Sequence, residues 1–249
     1  MTEQLDLNRC KRFFTEYIQL EEQFWQERIE EEINQFKLLQ VSYTPLDVEL
    51  QGLLKKETPF FNVFHILNIG HYETRLHTPF LCHLLNPEES HQQGSLFLDS
   101  FMTQILFLPY NYGKMEGFEI YEELSTDYGR IDIFIEFKVD GSYYCVLLEN
   151  KIYAGDQPQQ VDRYFKYITE ELEVSEQCFK LLYLTRTGNP PTDGSINSVL
   201  AAKLRGTGQL VLKGYHQHII PWLEGCFPAI LSPTVRQTMF QYIKVLEGL

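Results

Sequence analysis

Two stretches decide the fold: Gly129-Arg130-Ile131-Asp132-Ile133 and Leu147-Leu148-Glu149-Asn150-Lys151. Between them lies Asp140-Gly141, and Asp-Gly flanked by apolar runs is the strongest short-range hairpin signal a sequence offers. Residues 131–139 are apolar at every odd position, which is a strand period. Residues 143–148 are apolar on both faces, as in a strand covered on both sides. A two-residue turn at Asp140-Gly141 pairs residues whose numbers sum to 281, which sets Asp132 opposite Glu149. Their Cβ atoms would lie roughly 4.5–5.5 Å apart, with Lys151 two residues on and on the same face. Two carboxylates this close repel unless a proton or a cation sits between them. A divalent metal beside a lysine is the chemically sensible filling. A purely structural Asp–Lys or Glu–Lys pair at a strand end is the plainer alternative.

Charge is costly in a dry sheet interior, so these three side chains belong at a sheet end or in a cleft. Downstream, Gln160 and Tyr164 stand four apart on one helix face, with Gln157 three residues earlier. Asp156 or Gln157 is placed to cap that helix, and Pro158 fits its first turn. The helix follows the lysine strand directly, so its face can overlook the site and reach phosphate or base. A Tyr packed on the sheet beside a solvated Gln fits the same spacing.

Further out, Phe118–Ser125 reads as a first strand, and a helix over 157–172 leads to a strand at Phe179–Leu184. A Gly-, Asn- and Pro-containing loop follows at 187–198, then a short edge strand at Gln209–Leu212 and helices near 216–225 and 232–247. Residues 60–108 carry helical patterns broken at Thr78-Pro79 and Asn86-Pro87. Residues 8–39 form an amphipathic helix with Phe14, Ile18, Trp25, Ile29, Ile33 and Phe36 on one stripe. That stripe is expected to pack on the core, with a dimer contact as the sharper alternative. Val41 to Pro59 reads as a connector containing a short helix. The division expected is an N-terminal helical extension over 1–55 and a domain over 56–249.

Asp132, Glu149 and Lys151 together resemble the PD-(D/E)XK nuclease superfamily, with Ile131 standing where the superfamily usually has Pro. Residues beyond this core are similar to a bacterial nuclease-like branch of it. They are Glu73-Thr-Arg-Leu-His77-Thr78, Leu84-Leu85-Asn86-Pro87, His91, Gly94, Gln160-Val-Asp-Arg-Tyr164, Tyr183-Leu184-Thr185 and Ile220-Pro221-Trp222-Leu223. The resemblance spans about 60 to 248. It implies an α/β, restriction-endonuclease-like core, a mixed sheet of about four or five strands flanked by helices. It implies Mg²⁺, with Mn²⁺ as a substitute, held by Asp132 and Glu149, with the Asn150 carbonyl as a third contact. Lys151 would lie beside the attacking water, with Glu73 and Gln160 completing the catalytic set. Tyr164, Gln157, Arg130 and Arg163 are the candidate substrate contacts. The function implied is a nuclease, DNA favoured over RNA, in defence or repair. The alternative is a catalytically weak or inactive module that binds nucleic acid or protein, since fold alone never establishes activity.

Composition bounds these readings. The 249 residues carry 21 basic and 34 acidic side chains, a net charge of −13. Nucleic-acid affinity rests largely on neutralised phosphates, so this charge opposes tight nonspecific binding and favours the binding-module alternative. Residues 180–215 are locally basic, through Lys180, Arg186, Lys203, Arg205 and Lys213 against Asp193. The start, Met1-Thr2-Glu3-Gln4, lacks a signal-peptide pattern, and no apolar run has membrane-spanning length. Five scattered cysteines argue for reduced thiols and a cytoplasmic setting. No zinc-ligand spacing and no Gly-x4-Gly-Lys-Ser/Thr phosphate loop is present.

Overall fold

The computed structural model describes residues 7–58 and 60–249, and the chain falls into two compact units, Met1–Phe61 and Asn62–Leu249. The first unit is one helix, α1 (Leu7–Glu57, 51 residues), which runs through Pro45. The connector expected at 41–59 is therefore helical to Glu57. Proline removes one i→i−4 hydrogen bond, but the Leu, Glu, Gln and Lys that follow favour helix and carry it past the defect.

The second unit begins with the short helices α2 (Val63–Ile66), α3 (Thr78–Leu85) and α4 (Leu96–Gln104). A π-helical turn, Glu73–His77, runs directly into α3, so Thr78-Pro79 opens a helix instead of breaking one. Proline is well placed there because the first-turn N–H would be unpaired anyway. Strands β1 (Glu116–Thr126), β2 (Gly129–Val139) and β3 (Ser142–Lys151) follow as an antiparallel meander. The turn between β2 and β3 puts Asp140 (φ 50) and Gly141 (φ 76) in the left-handed region, as a type I′ turn requires. Its register, Ile133↔Leu148 through Val139↔Ser142, is the expected sum of 281.

Helix α5 (Gln160–Lys166) continues as a π-helical turn to Glu171. Next come β4 (Phe179–Thr185), α6 (Ser198–Gly206) and β5 (Leu210–Gly214). Then α7 (Ile220–Cys226), preceded by a π-helical turn at Tyr215–Ile219, and α8 (Pro233–Glu247) close the chain. Strands β3, β4 and β5 are parallel, giving a mixed five-stranded sheet in the order β1-β2-β3-β4-β5 among the described residues. Helix α6 was not expected from the sequence. Asn197 caps it, accepting from the Val199 and Leu200 amides at 2.9 and 3.4 Å. The helix expected from 157 starts at 160, because Gln159 is left-handed (φ 51). Asp156 is not its cap: its carboxylate accepts from the Tyr183 hydroxyl (2.6 Å) and from the Thr192 amide (2.7 Å) and hydroxyl (2.8 Å).

Two apolar layers cover the sheet. One joins Ile133, Ile135, Val146, Leu148, Leu182 and Leu184 to Leu81, Leu85, Phe97, Phe101, Trp222 and Tyr242 of the helices. The other joins Phe134, Leu147 and Leu181 to Val161, Tyr164 and Ile168 of the α5 segment and to Leu204 of α6. Alternation along β3 feeds both layers, so consecutive residues at its C-terminal end face opposite sides of the sheet.

Candidate active site

The site forms where β2 begins and β3 ends. Asp132 and Glu149 each stand one step beyond the last paired residues of the two strands, Ile133↔Leu148. Asp132 Oδ2 accepts from the Asn150 amide at 2.6 Å, which locks the two strand ends together. Glu149 is 5% exposed. Its Oε1 accepts from Lys151 Nζ and Gln160 Nε2, each at 2.7 Å. Its Oε2 lies 2.9 Å from the Tyr164 hydroxyl, which also reaches the Arg130 carbonyl oxygen at 2.6 Å. The four-residue spacing of Gln160 and Tyr164 thus aims both at one carboxylate, and Gln160 Nε2 also donates to the Tyr164 oxygen at 3.0 Å.

Glu73 reaches this region from the turn before α3. Its Oε1 accepts from the Ile152, Tyr153 and Ala154 amides at 2.5, 2.7 and 3.0 Å. Three successive amides on one oxygen fix the segment that leaves the lysine strand. Glu73 is therefore a clamp on the backbone beside Lys151.

The candidate substrate contacts divide. Tyr164 is 2% exposed and its hydroxyl is bonded within the site. Arg163 donates to the Tyr128 carbonyl (2.7 Å) and to Gln157 Oε1 (3.1 Å), so both residues are engaged with the protein. Gly129 makes room for this arginine: a Cβ there would lie 2.8 Å from Arg163 Nη1, and its φ of 132 suits glycine alone. Arg130 is 62% exposed, with Nε 2.5 Å from Glu123 Oε2. Glu123 drew no notice in the sequence. It lies between the pairs Glu122↔Ile133 and Leu124↔Ile131, beside Asp132, with a left-handed backbone (φ 53). The basic run of 180–215 is largely engaged elsewhere. Lys180 donates to the Gly208 carbonyl, Lys203 pairs with Glu176, and buried Lys213 lies over the Phe107 ring. Arg186 lies over the ring of Tyr153.

Electrostatics set this place apart. Burial, and then the negative charge of Glu149, push the Asp132 carboxyl up to about 8. Burial also raises Glu149, against the opposing pull of Lys151, Tyr164 and Gln160. One ammonium thus faces two carboxylates, and both are raised. All donors here are hard oxygens, the set that Mg²⁺ or Mn²⁺ prefers. Among the described residues no group of three or more His, Cys, Asp and Glu could hold a metal. Waters and backbone would complete the shell, which Mg²⁺ tolerates because it keeps several waters. The residues present therefore fit a divalent cation held by Asp132 and Glu149.

Asn150, between the two charged residues, points the other way. Its Nδ2 donates to Thr78 Oγ1 (3.3 Å) and its Oδ1 accepts from the Tyr215 hydroxyl (3.0 Å). Tyr242 lies 3.0 Å from His77 Nδ1, and His77 Nε2 lies 2.8 Å from the Gly70 carbonyl oxygen. Burial lowers His77 to about 4, so it is neutral here. Both ring nitrogens of His77 are thus bonded within the fold. His91 is likewise held, by the Asn86 carbonyl and the Gln93 amide.

A family model of the PD-(D/E)XK nuclease superfamily matches residues 61–244, and the chain belongs to that superfamily. No curated protein and no solved structure matches the chain. No described helix is long and apolar enough to cross a membrane.

Proposed function

We propose that the chain is a divalent-metal-dependent nuclease that hydrolyses phosphodiester bonds, with DNA as its substrate. The observation that carries this is the pairing of two buried carboxyls, Asp132 and Glu149, both raised from their ordinary values, with Lys151 Nζ 2.7 Å from Glu149. A bound Mg²⁺ would supply Lewis-acid polarisation of the phosphate and a water of lowered pKa. Lys151, with one N–H on Glu149, would offer its remaining donors to the attacking water or the phosphate. Gln160 and Tyr164 fix the rotamer of Glu149 and so act as positioning residues. Glu73 holds residues 152–154, and with them the end of the lysine strand. Arg130, exposed at the surface next to Asp132, is the arginine placed to meet a phosphate. Arg163 and Gln157 shape the α5 side by bonding to each other.

The net charge of −13 favours a second reading, a nuclease-fold module that binds without cutting. One experiment separates the two. Labelled linear, circular and single-stranded DNA is incubated with Mg²⁺, Mn²⁺ or EDTA, comparing wild type with Lys151→Ala. Metal-dependent cutting lost in the variant supports the nuclease. No cutting in any condition, together with no Mn²⁺ binding by calorimetry, favours the module.

A further inference from the structure

We infer that α1 pairs with α1 of a second copy of this chain as a parallel two-stranded coiled coil. From Ile18 to Leu53, positions three and four apart in a strict heptad are Ile18, Glu22, Trp25, Ile29, Glu32, Phe36, Leu39, Tyr43, Leu46, Leu50 and Leu53. All are apolar but Glu22 and Glu32. A straight helix drifts about 20° per heptad against a seven-residue repeat, so five heptads cannot keep one face on a flat surface. They keep it on a partner helix that supercoils with them.

Such a partner must match α1 in length. The helix spans 51 residues, whereas the longest other helix among the described residues is α8, with 15. A second copy supplies the match. Within its own unit α1 is a single helix, with no second layer to cover Trp25, Phe36, Leu39, Leu46 and Leu53.

Charge permits self-pairing in parallel. The flanking positions that would face one another across the two copies are Glu21 with Gln26, Arg28 with Ile33, Gln35 with Gln40, Ser42 with Asp47 and Glu49 with Leu54. No flanking pair brings like charges together, while within the seam Glu22 and Glu32 each face their own copy. Leucine at 39, 46 and 53 suits two strands. Glu32, the acidic intrusion nearest the dense seam, has Arg28 Nε 3.8 Å away in its own helix. Pro45 and Gly52 fall on the outer face, away from the seam.

The test is the mass of the full chain by sedimentation equilibrium across a hundredfold concentration range. Wild type should weigh twice the chain mass. Leu39→Glu with Leu46→Glu should weigh one chain mass, and outer-face Glu27→Gln with Glu30→Gln should stay dimeric. Under mild oxidation Leu46→Cys should form a covalent dimer above the wild-type background, which an antiparallel pair would not. A monomeric wild type, a higher oligomer, a dimer that survives the double Glu substitution, or no cross-link in the Cys variant would overturn the inference.

Discussion

The last three residues of β3 present two polar surfaces that differ in kind. On one side of the sheet Glu149 and Lys151 meet Asp132, Gln160 and Tyr164. On the other, Asn150 meets Thr78 and Tyr215. Both are buried or half-buried, and both are hydrogen-bonded. The Asn150 side is neutral, and its buried groups satisfy one another. The Glu149 side has one cation for two carboxylates, and burial together with the charge of Glu149 raises Asp132 to about 8. Satisfied neutral polar groups rigidify a fold, whereas a charge left short of compensation marks a place prepared for something else. The contrast between two faces of one strand is the physical basis for placing the metal where we do.

Substitutions on the two faces should therefore fail differently. Lys151→Ala or Asp132→Ala should lower the cleavage rate by about 10³-fold or more while the domain stays folded, as judged by circular dichroism. Equal cleavage in either variant would remove the assignment. Tyr164→Phe and Gln160→Ala release Glu149 without removing it. A loss of roughly 10–100-fold in Mn²⁺ affinity is expected of such supporting partners, read by calorimetry. On the neutral face, Asn150→Ala removes the acceptor of the Tyr215 hydroxyl and the donor to Thr78 and should cost about 1–3 kcal/mol in urea unfolding. Tyr215→Phe, which removes only the hydroxyl, should cost less, about 1 kcal/mol. If Asn150→Ala abolished metal binding at unchanged stability, the two faces would not be separate.

The faces also differ in pH response. In the metal-free folded protein Asp132 keeps its proton up to about 8, whereas an unfolded chain loses it near 3.8. Across that window the folded state binds more protons, so this group makes stability fall as pH rises. Binding of Mn²⁺ must displace the proton, and affinity should rise with pH up to about 8, measured by titration calorimetry in two buffers of different ionisation enthalpy. Asn150, Thr78 and Tyr215 contribute no comparable dependence in that range.

How much of this was legible follows from the same geometry. The hairpin was, because Asp140-Gly141 fixes a register and a period of two does the rest. Asp132 beside Glu149 is arithmetic on that register. Gln160 and Tyr164 were legible as a pair by their spacing, but not as supports of Glu149, since spacing does not say whether a face looks inward. Tyr164 proved buried, and Arg163, read as a substrate contact, bonds Tyr128 and Gln157. The Asn150 network could not be read at all: Thr78, Asn150, Tyr215 and Tyr242 are far apart in sequence, and only packing brings them together. Helix α6 had a usable signal in Asn197 followed by Val199, Leu200, Ala201 and Leu204, but a loop rich in Gly and Pro just before it obscured the start. In α1, Pro45 suggested a break that the surrounding helix formers override.

The central claim, that the Glu149 face is built for a cation, is tested most directly by Asp132→Asn. The substitution keeps the shape and an acceptor for the Asn150 amide but removes the charge. Melting of wild type and variant is followed in EDTA and in Mn²⁺. The account predicts that the variant melts higher than wild type in EDTA at pH 8.5 or above, by roughly 2–4 °C per kcal/mol of repulsion relieved, and that Mn²⁺ no longer raises its melting temperature. A variant that melts lower in EDTA, or that keeps the full Mn²⁺ shift, would contradict it.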